Sequence, residues 1–322
     1  MLGLARRLAR NGVLGINARN AIYMLPNNPR GLYPLVDDKL RTKEIAVKVG
    51  IKVPPLYGVV ASPGDVKRLG DIIGSHQDFV IKPAHGSGGE GIAVIVARSG
   101  DHFRLADGTF MDRAEMAFHV NNLLSGIYSL GGQPDKALIE YRVRFDPLFE
   151  TVAFQGVPDI RIIVYFGVPV MAMVRLPTRA SRGRANLHQG AIGAGIDIAT
   201  GLTLTAVLKN SIVAEHPDTL NPVSGIQVPG WDGLLDIAAR SWELTGLAYQ
   251  GIDIVLDRDL GPLILELNAR PGLAIQIANR AGLRRRLERV EAERHGLATV
   301  AERVAFAKRS FAAETDAGLA AG

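Results

Sequence analysis

An α+β fold built on antiparallel sheets is predicted by three observations. Strand-like and helix-like segments mix along the 322 residues without strict βαβ alternation, which disfavours a doubly wound parallel sheet. Two pairs of strand-like segments are joined by turns, at Gly167-Val168-Pro169 and at Arg258-Asp259-Leu260-Gly261, as hairpins are. Hydrophobic residues make up 47% of the chain, enough for a real core.

In order along the chain, residues 1–22 read as a short basic helix, closed by a turn at Asn27, Asn28, Pro29 and Gly31. Asp37-Asp38-Lys39 opens a helix that ends near Gly50, its acids lying in the first turn where the helix dipole favours them. VPPLYGVV is extended, and Asp65 to Ile73 reads as another short helix. Phe79–Ile81 and Ile92–Val96 are strands flanking a glycine loop. Asp112 to Ser129 reads as a helix, and Ala137 to Val143 as a strand. Strands follow at Ile160–Phe166 and Val170–Arg175, then a loop-rich stretch over 178–195. Trp231 to Leu244 has apolar residues at helical spacing. Gly251–Asp257 and Pro262–Ala269 are strands, and residues from Arg284 onward are helical before an Ala/Gly tail expected to be disordered. The organisation expected is a helical segment over 1–36, one subdomain over 37–143, a second over 144–283, and a basic helix with tail over 284–322.

Composition narrows the function. The absence of cysteine excludes disulfides, thiolate catalysis and Cys-ligated metals. No apolar run approaches the roughly 18–20 residues that span a bilayer. Arginines interrupt the apolar stretches at the start of the chain, unlike a secretory signal, so a cytoplasmic location is expected. The net charge of +5 suits an anionic partner. Arg284, Arg285, Arg286, Arg289, Arg294, Arg303, Lys308 and Arg309 are interleaved with glutamates and read as a solvated helix. Arg161, Arg175, Arg179, Arg182 and Arg184 lie among and after strand-like segments, where a solvated surface explains them less well.

The segment FVIKPAHGSGGEGIAVIVA contains G-x-G-x-x-G at Gly86, Gly88 and Gly91. A dinucleotide site would run from such a loop into a helix, and a Walker loop would end in Gly-Lys-Ser/Thr. Here the loop runs into a strand, leaving a glycine-rich hairpin with Lys82 at its base. Backbone N–H groups of such a loop can converge on an anion, and the lysine adds a point charge. A plain flexible hairpin is the alternative.

GIDIVLDRDLGPLILELNARPG carries a second constellation. Pairing its strands about the turn sets Asp253 opposite Glu266, with Asn268 two residues on and on the same face. Three oxygen ligands among aliphatic neighbours suit a hard divalent cation such as Mg²⁺. Carboxylates simply facing water are the alternative.

Lys39, Lys82 before the glycine loop, Glu140-Tyr141, Asp159-Ile160-Arg161 and Asp253…Glu266-x-Asn268 follow one another in an order that resembles the ATP-grasp superfamily. Within it the chain is most similar to the glutamate ligases that extend ribosomal protein S6, especially over residues 160–195 with Arg184-Ala185-Asn186-Leu187-His188. It looks like the alpha-L-glutamate ligase-like, sugar-transfer-associated branch, over nearly the whole chain. The resemblance implies two antiparallel subdomains gripping ATP between them. It implies that Lys39 and Lys82 meet the phosphates and that Gly86, Ser87, Gly88 and Gly89 form a flap over them. Glu140 and Tyr141 resemble the adenine hinge, which reads the base largely through backbone groups, and Asp159 resembles the acid near the ribose. Arg184 and Asn186 resemble residues lining the triphosphate, and Asp253, Glu266 and Asn268 resemble ligands of two magnesium ions, for which manganese can substitute. Arg161, Arg175, Arg179 and Arg270 are candidates for the carboxylate substrate or its acylphosphate, and His188 for a base towards the incoming amine or a structural hydrogen-bonder. The family usually carries a full α/β domain ahead of the grasp, where this chain has only the 1–36 segment.

The chemistry implied is phosphoryl transfer from ATP to a carboxylate, then capture by an amine, the acceptor being an amino acid, a peptide or a protein terminus. A kinase-like phosphotransferase is one rival, but a kinase needs a later-strand lysine and an H-R-D loop, and this chain has no H-R-D. A non-catalytic nucleotide- or nucleic-acid-binding module is the other; the aromatic content of 6% disfavours base stacking.

Overall fold

The computed structural model of the protein describes residues 2–86, 88–209 and 211–313. Ser87 and the expected tail beyond residue 313 lie outside the described residues. The chain divides into two compact units. The small unit comprises residues 37–146 and 256–265; the large unit comprises 1–36, 147–255 and 266–322. The N-terminal segment and the C-terminal helices are thus parts of the large unit, and the tip of the last hairpin belongs to the small one.

The small unit holds β1 (Leu56–Val60), β2 (Phe79–Pro83), β3 (Ala93–Ser99), β4 (His102–Leu105), β5 (Phe110–Asp112) and β6 (Ala137–Glu140), in the order β1-β6-β2-β3-β4-β5. Every neighbouring pair is antiparallel. The helix Arg113–Leu124 starts on a capping box in which Asp112 and Glu115 exchange bonds with each other's backbone. It buries Met116, Val120, Leu123 and Leu124, spaced as one helical face, against Phe79, Ile81, Ala137 and Ile139 of the sheet. Alternation then sends Lys82 and Glu140 to the opposite face of β2 and β6. Asp38 caps the helix Lys39–Lys48, accepting from the amides of Leu40 and Arg41.

The second sheet holds β7 (Asp159–Tyr165), β8 (Val168–Leu176), β9 (Ile192–Ile196), β10 (Thr203–Leu208), β11 (Ser211–Val213), β12 (Tyr249–Asp257) and β13 (Gly261–Asn268), in the order β11-β10-β9-β8-β7-β12-β13, and belongs to the large unit except for residues 256–257 of β12 and 261–265 of β13. β12 is buried along its whole length, whereas β13, at the sheet edge, is fully buried only at Leu263, Ile264 and Leu267. The helix Trp231–Thr245 ends on Gly246, whose φ of 70° closes it without a side-chain clash. Arg303, on the helix Val300–Ser310, is buried; it pairs with Glu243 and lies 5.1 Å from the Trp242 ring centre.

The elements read from the sequence differ from the structure in several places. The helix expected over 1–22 ends at Arg10, and helical structure resumes only at Ile16–Ala18 and Arg19–Met24. The helical region from Arg284 is two helices, Leu283–Glu293 and Val300–Ser310, and Arg303 is buried rather than solvated. β4, β5, β10 and β11 lie where no strand is read from the sequence. Asp65–Ile73 breaks at Lys67 and Arg68 into Pro63–Val66 and Leu69–Ile73. The helix expected over 112–129 stops at Leu124. β9 falls inside the stretch expected to be loop-rich.

Candidate functional site

In the large unit, strand register assembles a charged group on one sheet face. Asp159 and Arg161 are two residues apart on β7 and share a face. β8 places Arg175 opposite Asp159, and β12 places Asp253 opposite Arg161. Arg161 donates through Nε and Nη2 to the two oxygens of Asp253, at 2.7 and 2.6 Å. Arg175 donates to both oxygens of Asp159 and, at 2.8 Å, to Oδ2 of Asp253. Asn268, on β13, adds its amide to the same oxygen at 3.2 Å. Glu266 lies close enough to Arg175 to raise the guanidinium's pKa, behind the larger effects of burial, Asp159 and Asp253. The structure therefore brings Asp159, Arg161, Arg175, Asp253, Glu266 and Asn268 together.

The partner that meets both oxygens of Asp253 comes from β7 and not from the hairpin. Burial pushes the Asp253 carboxyl up, but Arg161 and Arg175 outweigh it and hold the group at about 2. Asp159, equally buried and sharing Arg175 with Asp253, is pushed up to about 6, by burial first. Among the described residues no three His, Cys, Asp or Glu side chains group as a metal cluster. Glu266 and Asn268, both partly exposed, supply a carboxylate and an amide oxygen, a donor set that fits Mg²⁺, which takes few protein ligands. Asp253 can join them only where its arginines give way.

The remaining predicted residues of this unit lie apart from that group's bonds. Arg179, Arg184 and His188 are exposed on the loop after β8. The Arg179 guanidinium lies 5.0 Å from the Phe154 ring centre, and Arg184 reaches Gln189 at 3.4 Å. Asn186 accepts from the amide of His188 and so caps a short turn. Arg270 sits over the Tyr33 ring at 4.9 Å.

In the small unit, the Glu140 carboxylate is buried between two ammonium groups. Lys82 Nζ is 2.5 Å from Oε1, and Lys43 Nζ is 2.7 Å from Oε2, as an ion pair with poor hydrogen-bond alignment. Burial raises the Glu140 pKa, yet Lys82 and Lys43 outweigh it and hold the group below the ordinary carboxylate range. Lys43 is lowered to about 8, by burial against the pull of Glu140. Lys82 is thus turned to Glu140, and Lys43 is a member of the site that sequence reasoning missed. The signal was available: Lys39 and Lys43 stand four apart on one helix and so share a face.

Lys39 donates to the carbonyl of Gly86 at 2.5 Å, while its own amide bonds Ala84. The loop is further held by His85, which meets Asp135 at 2.7 Å. Gly88 and Gly89 have φ of 67° and 79°, a left-handed backbone that glycine adopts at no steric cost. Tyr141 spends its amide on the carbonyl of Pro55, so that group is not a donor for a base. Its hydroxyl points to Asp257, at 3.4 Å. A groove of about 560 Å³ in this unit, lined by Phe110, Met111, Phe118, His119 and Tyr128 among others, includes none of the predicted site residues.

Residues 18–292 match the profile of the sugar-transfer associated ATP-grasp family. The chain belongs to that family. Its ATP-grasp fold accordingly consists of two antiparallel sheets with their helices. The family member is 25% identical, over 251 residues, to a probable alpha-L-glutamate ligase of Ectopseudomonas mendocina, covering 76% of this chain and 61% of that protein. It is 27% identical, over the same shares, to the ribosomal protein bS6--L-glutamate ligase of Salmonella paratyphi B. The chain thus spans 61% of the length of these relatives. Solved structures similar to this ATP-grasp chain include biotin carboxylase from Campylobacter jejuni, with a TM-score of 0.48 at 15% identity over 89% of this chain and 49% of that one. D-cycloserine synthetase DcsG gives 0.46 at 17% identity, over 83% and 72%.

Proposed function

We propose that this ATP-grasp protein is an ATP-dependent carboxylate–amine ligase that acts in the cytoplasm, with glutamate the first candidate substrate and a peptide or protein terminus the acceptor. The glutamate ligases among its relatives support the substrate class. The observation that carries the reading is the group on β7, β8, β12 and β13, where two partly buried arginines, Arg161 and Arg175, stand beside Glu266 and Asn268. Guanidinium forks suit a carboxylate or acylphosphate, and the carboxylate–amide pair suits magnesium.

In this reading Glu266 and Asn268 would hold the metal, and Asp253 would join them where its arginines give way. Magnesium, when bound, offsets charge on the transferring phosphoryl group. Lys39, Lys82 and the amides of the glycine loop supply cations and donors for the phosphates; Lys82 must leave Glu140 to do so, and Lys43 remains to neutralise that carboxylate. A carboxylate oxygen of the acid attacks the γ-phosphorus and ADP leaves. The amine then attacks the acyl carbon, phosphate leaves with the bridging oxygen, and the amine gives up a proton. Positioning and electrostatics supply the acceleration, so no protein nucleophile is required. The test is a screen of acid and amine pairs for ADP release, with products identified by mass spectrometry. ADP release that requires both partners supports a ligase; a stable phosphorylated product formed without any amine supports a phosphotransferase.

A further inference from the structure

We infer that the first segment of the chain, residues 2–25, docks on an anionic lipid surface as an interfacial, non-spanning anchor. Residues 1–36 contain five arginines, Arg6, Arg7, Arg10, Arg19 and Arg30, and no aspartate or glutamate. All but Arg19 are exposed. The helix Leu2–Arg10 carries three of them. At 100° per residue, Leu8 and Ala9 fall on one side of the helix and Arg6, Arg7 and Arg10 on the other. In a helix packed on the body of a protein the apolar side would be covered. Here Leu8 is 42% exposed, and Ala9 is exposed as well.

The exposure continues past the helix. Ile16 is 62%, Ile22 46% and Leu25 49% exposed, a concentration of bare aliphatic side chains within ten residues. The segment is nonetheless fixed to the large unit. Leu14 is buried, and its amide and carbonyl both bond the side chain of Gln276, at 2.8 and 3.0 Å. The amide of Arg284 bonds the carbonyl of Gly12, and Arg285 donates to the carbonyl of Arg10. The arginine-bearing helix is therefore held by its C-terminal end.

Charge and apolarity together choose the partner. Arginines without acids complement an anionic surface, and aliphatic side chains gain by entering a headgroup–acyl boundary. A single-stranded nucleic acid would ask for exposed aromatics to stack on. The aromatics here, Tyr23 and Tyr33, are buried. No helix of the described residues is long and apolar enough to cross a membrane, so the association is peripheral.

The experiment is co-sedimentation of the full chain with vesicles of phosphatidylcholine alone, or with about 30% phosphatidylserine, at physiological ionic strength. Partition to the anionic vesicles is expected to exceed that to neutral ones by at least about tenfold. An Arg6→Glu/Arg10→Glu variant and a Leu8→Ser/Ile16→Ser variant should each lose about tenfold or more of it, the first through charge and the second through apolar burial. An unchanged thermal midpoint in both variants shows the fold intact. Absence of binding to anionic vesicles overturns the inference. So does binding that the Leu8→Ser/Ile16→Ser variant retains in full, which is bare electrostatic adsorption, or binding that single-stranded RNA abolishes at equal charge concentration.

Discussion

At the scale of single residues, one carboxylate shared by two lysines sets the small unit's chemistry. Glu140→Gln would leave Lys43 and Lys82 facing each other in a buried place, and should cost about 3–5 kcal/mol of stability in denaturant unfolding. A loss below 1 kcal/mol, about what a solvent-exposed pair contributes, would show the contact to be solvated after all. Lys43 adds a pH signature. Its pKa of about 8 in the folded protein lies below the ordinary 10.5. Between those values the unfolded chain holds the extra proton, so stability rises with pH across that window. The thermal midpoint of the wild type measured against Lys43→Met should show that rise from pH 8 upward; parallel curves would contradict it. In the large unit, Arg175 bridges Asp159 and Asp253 with separate bonds. Lysine can reach one of them but cannot fork. Arg175→Lys should therefore lower turnover about a hundredfold through misplacement, with nucleotide affinity little changed. Full activity in that variant would return Arg175 to the status of a structural ion-pair member.

At the scale of elements, the strands that carry the site are the ones legible in the sequence. The Gly167 and Arg258–Gly261 turns and the alternation around Asp253 mark two hairpins, and hairpin geometry then puts Asn268 within reach of Asp253. What pairs with Asp253 was not legible. Arg161 stands 92 residues away, and its position opposite Asp253 depends on β7 lying between β8 and β12, a sheet order that no local pattern encodes. β9 was missed for a local reason. Its sequence IGAGI reads as loop, yet a side chain at Gly195 would meet the carbonyl of Ala278 at 2.6 Å. That glycine serves close backbone approach rather than a turn. β4, β5 and β11, three or four residues each, carry too few alternating residues to rise above their turns. The glycine loop after β2 belongs to this scale as well. Lys39 and His85 hold its start, so a nucleotide that recruits Lys39 must rearrange the contact with Gly86. Hydrogen exchange of peptides covering residues 85–91 should slow when a Mg·ATP analogue binds; identical exchange in both states would count against a phosphate-gripping loop.

At the scale of the whole molecule, the family and its fold follow from a match over residues 18–292, while the activity rests on what the two units can hold. Cations and a glycine loop lie in one, a magnesium-type donor pair beside two arginines in the other. Glu266→Ala should abolish Mg·ATP-dependent turnover and leave the thermal midpoint of the metal-free protein within a few degrees, because the side chain is partly exposed and its loss opens no core cavity. Near-normal ADP release at ordinary magnesium would remove Glu266 from the metal site. The claim that joins these features is that the acid is activated as an acylphosphate, and oxygen tracing tests it most directly. With an acid labelled with heavy oxygen in its carboxylate, Mg·ATP and an amine, the label should pass into the released inorganic phosphate, one labelled oxygen for each amide formed. Unlabelled phosphate accompanying amide formation, or phosphate retained on a stable product, would contradict the account.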